Sequence, residues 1–432
     1  MTTVDPMALM DDAPIELKVT ESRAARRARL STGGLLVGLG VLLAILSFRA
    51  RGDAAFALSD AFAAVPLPTI VVPGMATALV CGLITAVVGA GFLSGRLTGS
   101  LRTWSAVVAG FAVAFGFVAW AGSGSAFPFP VANQLSGTIV LATPLVFGAL
   151  AGVLCENAGV VNVSIEGEFL VAAFTAATVG SITGSLVAAM LAAMAAGVAM
   201  AALLALFSIK YLVDQVVLGV VLNLLASGVT GFLFDQLVQP NSATLNAAPQ
   251  LSRVAIPGLS AIPLLGPALF NQSPLVYIAL IAVIVVAFLL YRTRWGLRVR
   301  SVGEHPEAAD TVGINVRRTR WMAVLVGGMF AGLGGAYFTI GSTGGFIKDI
   351  TVGNGFIALA AVIMGRWHPV RAALMALFFG FVTQLASQLQ SLNAPMPSQF
   401  LLMLPYLATI VAVAGLIGRS RGPKADGVPY TK

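Results

Sequence analysis

Two glutamates, Glu166 and Glu168, stand two residues apart in a stretch that is otherwise almost wholly apolar. Asn157, Asn162 and Ser164 lie just ahead of them, and Gly167 separates the pair. Carboxylates in such company act as proton acceptors, as ligands to a passing solute, or as caps for the loose N–H groups of an interrupted helix. Charge inside an apolar span is expensive, so these side chains belong at a cavity, a helix break or an interface rather than against lipid. For Asn162 and Glu166 two readings stand: caps on two half-helices, or lining of a solute path. Asn223, in the middle of another apolar run, is either interhelical glue or a further lining residue. Asn354 and Phe356, in a second polar break at Thr351–Phe356, complete the path candidates.

The other informative segment is the charged loop from Tyr291 to Arg320. Pro306 suits the first turn of a helix and Gly313 its C-terminal cap, which predicts about two helical turns between them. Glu304, Glu307 and Asp310 fall at i, i+3 and i+6 on one side of it. Ala308, Ala309 and Val312 form a small-residue side that a partner's groove accepts. So short a helix does not hold in water by itself. It must dock, either on a partner or on its own chain and lipid headgroups.

Several chemistries have no residues to stand on. There is no G-x-x-x-x-G-K-[ST] loop for ATP, no G-x-S-x-G and no H-E-x-x-H. The two cysteines, Cys81 and Cys155, lie in apolar segments, and His305 and His368 are the only histidines, so neither a disulfide framework nor a metal cluster is expected. No catalytic residue and no resident cofactor follows from this sequence.

The elements that must position these groups are set by composition. Of 432 residues 58% are hydrophobic and 10% charged, against roughly 25% charged in a soluble domain. At about 20 apolar residues per crossing, the chain is an all-α, polytopic membrane bundle of about ten to twelve spans. Apolar runs fall near 33–48, 70–93, 104–121, 137–155, 160–182, 185–208, 213–234, 274–291, 321–341, 354–365, 370–390 and 401–418. The run at 354–365 is short and that at 160–182 holds two glutamates, which marks both as broken or re-entrant. The net charge of +8 sits at the N-terminus, in the central loop and in the tail, beside spans and not in a nucleic-acid-binding stripe. The bias places both termini in the cytoplasm. The first 32 residues carry five acidic and five basic side chains, too mixed for a cleaved signal peptide. The organisation is then a cytoplasmic segment at 1–32, N-terminal spans at 33–130, a core at 131–418 and a cytoplasmic tail at 419–432. A Pro-rich external loop at 235–273 either covers the mouth of the core, receives a delivery protein, or is plain surface.

An internal echo runs through the core. Phe147–Leu154 resembles Met329–Gly335, each leads into one of the two polar breaks, and an alanine-rich stretch follows each. With opposite directions through the membrane, the two copies read as an inverted repeat, whose interface typically holds the solute path.

The run from Gly296 to Val316 resembles the cytoplasmic coupling loop of ABC-importer permeases, the group that contains branched-chain amino acid, simple-sugar and nucleoside permeases. The segments Thr143–Gly167 and Gly353–Pro369 are similar to that group's other hallmarks, and the resemblance covers roughly 137–418. The pattern Gly303-Glu304-His305-Pro306-Glu307-Ala308-Ala309 and the segment Glu156–Asn162 look closest to the nucleoside (basic-membrane-protein-dependent) branch. The resemblance implies a permease subunit in a bacterial plasma membrane, paired with a second permease, often a paralogue. It also implies a cytoplasmic ATPase, which alone binds ATP, and an extracellular solute-binding lipoprotein. Gly303, Glu304, His305, Pro306, Glu307, Ala308, Ala309, Asp310 and Gly313 become the ATPase-coupling candidates. Glu168 departs from the family, which carries methionine there, and the first 130 residues are less family-like. An amide and an aromatic at the path suit a neutral, hydrogen-bonding nucleoside, and no buried Arg or Lys is expected to pair with a phosphate. The rival class is a lone secondary transporter with Glu166 or Glu168 as its proton-coupling carboxylate. That reading leaves the 304–312 motif without a role.

Overall fold

The computed structural model describes residues 23–59, 66–392, 396–411 and 421–431. The first 22 residues of the expected N-terminal segment, and 412–418 at the end of the last apolar run, lie outside them. Helix α1 spans Arg23–Ser47, and strands β1 (Asp53–Ala57) and β2 (Thr69–Pro73) follow it. Helices α2 (Gly74–Leu93) and α3 (Gly99–Ala121) lead to strand β3 (Phe129–Pro130). The core then runs α4 (Val131–Asn157), α5 (Ile165–Thr183), α6 (Leu186–Ala205) and α7 (Gln215–Leu233). The segment between α7 and α10 holds α8 (Ser242–Leu245), β4 (Val254–Ala255), α9 (Leu265–Leu269) and β5 (Asn271–Gln272). Next come α10 (Pro274–Arg292), α11 (Arg294–Glu304), α12 (Pro306–Thr311), α13 (Val316–Phe338), α14 (Asn354–Met364), α15 (Pro369–Ser391) and α16 (Ser398–Val411).

Among the described residues, ten helices are long and apolar enough to cross a bilayer, so the chain is a polytopic helical membrane protein. Eleven residues of α14 extend only about 16 Å, half of a hydrocarbon core. The other suspect run differs from the expectation: residues 158–164 are irregular, but α5 runs unbroken from Ile165 to Thr183, long enough to cross, with Glu166 and Glu168 in its first turn. Both polar stretches thus lie at the N-terminus of a helix and not in the middle of one.

Two small sheets were not foreseen. Strand β1 pairs antiparallel with β2 and parallel with β3, and β4 pairs with β5. Among the described residues no strand exceeds five residues, too short for a period-2 pattern to register in sequence. The first sheet ties the N-terminal helices to the start of α4, with Phe56 stacked on Phe115 and edge-on to Phe129. Against that end, Leu43, Cys81 and Trp120 share an apolar cluster with Leu385, Leu389 and Leu401 of α15 and α16.

The core is organised around α4 and α13, which pack together and are the most enclosed of the spans. The two stretches that carry the sequence echo are thus neighbours. Helices α1, α2, α6 and α7 present apolar side chains outward, as a lipid-facing surface requires.

Candidate functional site

The two breaks meet. Glu166, in the first turn of α5, accepts hydrogen bonds at Oε1 from the Thr351 hydroxyl (2.6 Å) and the Gly353 N–H (2.8 Å). Its Oε2 accepts from the Gly355 N–H at 2.6 Å. The carboxylate therefore supplies the acceptors that the open N-terminus of α14 lacks, at the end where a negative charge is favoured. The two N-termini approach so closely that a Cβ on Gly355 would lie inside the Glu166 backbone. Only glycine fits there.

The amides complete the junction. Asn223 of α7 accepts from the Gly167 N–H (2.8 Å) and donates to the Val163 carbonyl (2.9 Å), which fastens α7 across the break and caps α5. Asn354 donates to the Thr351 carbonyl at 2.8 Å. Asn162 turns the other way: it is fully buried, its Oδ1 accepts from Ser164, and its Nδ2 donates to Glu168 Oε1 at 3.0 Å. Ser164 donates its hydroxyl to Asn162 Oδ1 or to Glu168 Oε1, at 2.8 and 3.0 Å. Glu168 is fully buried and its Oε2 has no partner.

Of the path candidates, Glu166, Asn223 and Asn354 converge on one half-buried junction, and Asn162 stands behind it. Phe356 is half exposed beside them. Thr351, which donates its hydroxyl to Glu166, and Ser164 were not singled out as site residues; their signal is a small polar residue next to a glycine. Between α7 and the stretch ahead of α14, Lys348 pairs with Asp235 at 2.6 Å and Ser227 donates to Asp349 at 2.9 Å. The segment 340–346 is bound to the 235–273 loop through Leu251 N–H, Ala248 N–H and Asn246. That loop packs over the 340–346 turn.

The second locus is the charged loop. Thr293 caps α11 by accepting from the Gly296 N–H, and Asn315 caps α13 by accepting from the Arg318 N–H. Between them α12 begins at Pro306 and ends before Gly313, whose φ of +84° is the left-handed conformation glycine adopts readily. Glu304, His305, Glu307, Ala308 and Val312 are exposed, and Asp310 is half-buried beside Gly313. Ala309 differs from its expected place on the outer small-residue side. It is buried with Val302, Val316 and Tyr430, because α12 is held to its own chain by whatever apolar side chain it can turn inward. Gly303 and Pro306 are also buried.

Beneath this loop lies a buried cation that the sequence did not announce. Arg320 is only 1% exposed, and its Nη1 donates to the Val428 carbonyl at 3.0 Å. It belongs to the charged-loop end of α13, not to the Glu166 junction. Nearby, the Trp367 indole donates to Glu156, and Asn157 donates to the Trp367 carbonyl at 3.0 Å. The end of α4 is thereby tied to the turn after α14. Among the described residues no group of His, Cys, Asp and Glu is arranged to hold a metal.

A multi-span apolar bundle in which the N-termini of two helices are capped on each other, with a short exposed helix on a charged loop, is a polytopic membrane protein. Residues 134–417 match the family described as branched-chain amino acid transport system / permease component, and the chain belongs to it. It is 42% identical over 304 residues to the guanosine ABC transporter permease protein NupQ of Bacillus subtilis, covering 68% of this chain and 95% of that one. It is 38% identical to the nucleoside ABC transporter permease protein NupC of Lactococcus lactis, covering 70% and 96%. A putative glucose ABC transporter permease protein, TsgC13 of Haloferax volcanii, is 35% identical, covering 67% and 93%. No solved structure matches significantly. The chain is a transport component and not an enzyme.

Proposed function

We propose that this chain is the membrane-spanning permease of an ATP-driven importer that takes up nucleosides across a bacterial plasma membrane, with both termini in the cytoplasm. The observation that carries the reading is α12, a six-residue helix with Glu307 and Ala308 exposed on it and Glu304 and Val312 exposed at its two ends; of these Glu307 also faces Arg320. A cytoplasmic ATPase docks there, and closure of the ATPase pair moves α11 and α12. Gly303 of α11 abuts the carbonyl of Asn157, so that movement reaches α4 and the break after it.

The solute passes beside the Glu166 junction. Asn223, Asn354 and Phe356 offer amides and a ring, which suit a neutral base and sugar. Arg320 is remote from the junction, and Lys348 is already paired with Asp235, so neither attracts a phosphate. A second permease covers the side that carries Asp235, Lys348 and Phe356, where charge facing lipid would be costly. A solute-binding lipoprotein delivers from outside. NupQ and NupC, named for guanosine and nucleosides, favour this solute over the sugar suggested by TsgC13.

The test is Glu307→Lys. Guanosine uptake is lost while the amount of chain in the membrane stays unchanged; undiminished uptake removes the docking assignment. Uptake that survives ATP depletion and collapses with a protonophore would instead establish the proton-coupled transporter.

A further inference from the structure

The stretch 421–431 lies beyond the family match, which ends at 417, yet it is folded against every part of the coupling-loop end of the bundle. Its Ala425 N–H donates to the Gly303 carbonyl at 2.8 Å, joining it to the last turn of α11. Lys424 Nζ lies 3.4 Å from His305 Nε2, at the entrance to α12. Tyr430 is buried in the cluster that holds Ala309, the residue α12 turns inward, together with Val302 and Val316. The Val428 carbonyl receives the buried guanidinium of Arg320.

The same stretch reaches the helix breaks. A Cβ placed on Gly427 would lie 3.3 Å from Val161 Cγ2, and one on Gly159 would lie 2.9 Å from the Ala425 carbonyl oxygen. Both partners belong to the irregular segment between α4 and α5. Gly422 lies against the Trp367 ring, at the turn after α14. One short segment therefore touches α11, α12, the first turns of α13, the α4–α5 break and the turn that closes α14.

A helix of six residues has no stability of its own, and α12 buries only Pro306 and Ala309. Tyr430 contributes a wall of the cluster that seats Ala309. A displacement of α12 must therefore move Tyr430 or abandon that packing, and the backbone between Tyr430 and Ala425 passes the Arg320 head and the Val161 side chain. The direct contact of Gly303 reaches Asn157 and the backbone nitrogen of Gly159, whereas the tail extends the linkage further into that segment, to Val161.

We propose that residues 421–431 are a strap within the coupling apparatus, carrying displacement of α12 to the 158–164 break, with Tyr430 and Ala425 as its positioning residues. The proposal rests on the reading of α12 as the ATPase-docking helix.

The experiment uses the assembled transporter in lipid nanodiscs and proteoliposomes, with ATP hydrolysis and guanosine uptake measured on one preparation. Three variants are compared: a chain ending at residue 420, Tyr430→Ala, and Ala425→Pro, which removes the N–H donated to Gly303. The strap predicts that the ATPase still co-purifies and still hydrolyses ATP. Uptake per ATP should fall by about tenfold, within the usual range of coupling between sites. A wild-type ratio in all three overturns the proposal. So does loss of all three chains from the membrane, which would make the tail a folding element only. Glu307→Lys, run in parallel, separates the two claims. An ATPase that stays bound to that variant defeats the docking reading, while the tail variants' uptake ratio bears on the strap alone.

Discussion

The Glu166 junction and the charged 292–320 loop are both short polar interruptions of an apolar chain, and they treat their polar groups in opposite ways. At the junction nearly every group is answered from within: Glu166 by Thr351, Gly353 and Gly355, and Asn223 by Gly167 and Val163. In the loop, Glu304, Glu307 and Val312 are left facing outward. The first region must hold the N-termini of α5 and α14 together within an apolar bundle, where loose N–H groups are costly. The second stands in water and is free to leave its surface for something else. Substitutions at the junction should therefore cost the protein its fold, and substitutions on α12 should cost it an association.

The largest effect is expected for Glu166→Ala. It strands two backbone N–H groups and a hydroxyl at the start of α14, at about 1–3 kcal/mol for each lost partner. The thermal midpoint in detergent and the membrane abundance should both drop sharply; unchanged values would mean that water or another group caps α14. Asn223→Leu comes next, leaving the Gly167 N–H and the Val163 carbonyl unanswered, with destabilisation of about 2 kcal/mol measured in the same assay.

The tail should respond to pH. Burial pushes the Asp426 carboxyl up to about 7, against the opposing pull of Arg320 on α13 and the backbone N–H of Gly427. Glu156 at the end of α4 also faces Asp426, and Glu307 of α12 faces Arg320. A carboxyl with a raised pKa binds a proton in the docked state and releases it when undocked. Docking is thus strongest at acidic pH and weakens as pH rises from the ordinary carboxylate range to about 7. Hydrogen exchange of 421–431, corrected for intrinsic rates, should show more opening at pH 8 than at pH 6. The reverse order would exclude Asp426 as the responsible group. The smallest effect is reserved for Val312→Ser. At 75% exposure it should change stability by no more than about 0.5 kcal/mol, so a larger drop in the thermal midpoint would show Val312 to be packed in the free chain.

The positions of both polar stretches were legible because Asn, Glu and Gly are wrong for the middle of a helix facing lipid, although Glu166 and Glu168 sit in the first turn of an unbroken α5 and not in a break. The ends of α12 were legible because Pro306 and Gly313 each act within their own turn. What joins the breaks was not, since Glu166 and the Gly353 N–H it accepts are 187 residues apart and no periodicity reports such a pairing. Ala309 was assigned to the wrong side for a related reason. A two-turn helix has no sustained apolar stripe, and its inward face is chosen by Tyr430, far along the chain. Arg320 read as one more loop cation because nothing local signals that the tail will cover it.

The most direct measurement is affinity purification of the tagged chain in mild detergent, followed by identification of what accompanies it, for the wild type and for a Glu304→Lys/Glu307→Lys variant. A stoichiometric ATPase with the first and none with the second, at equal chain yield, is the predicted result. A chain that purifies alone and moves nucleoside down a proton gradient in liposomes would contradict it, and would shift the mechanism to Glu166 and Glu168.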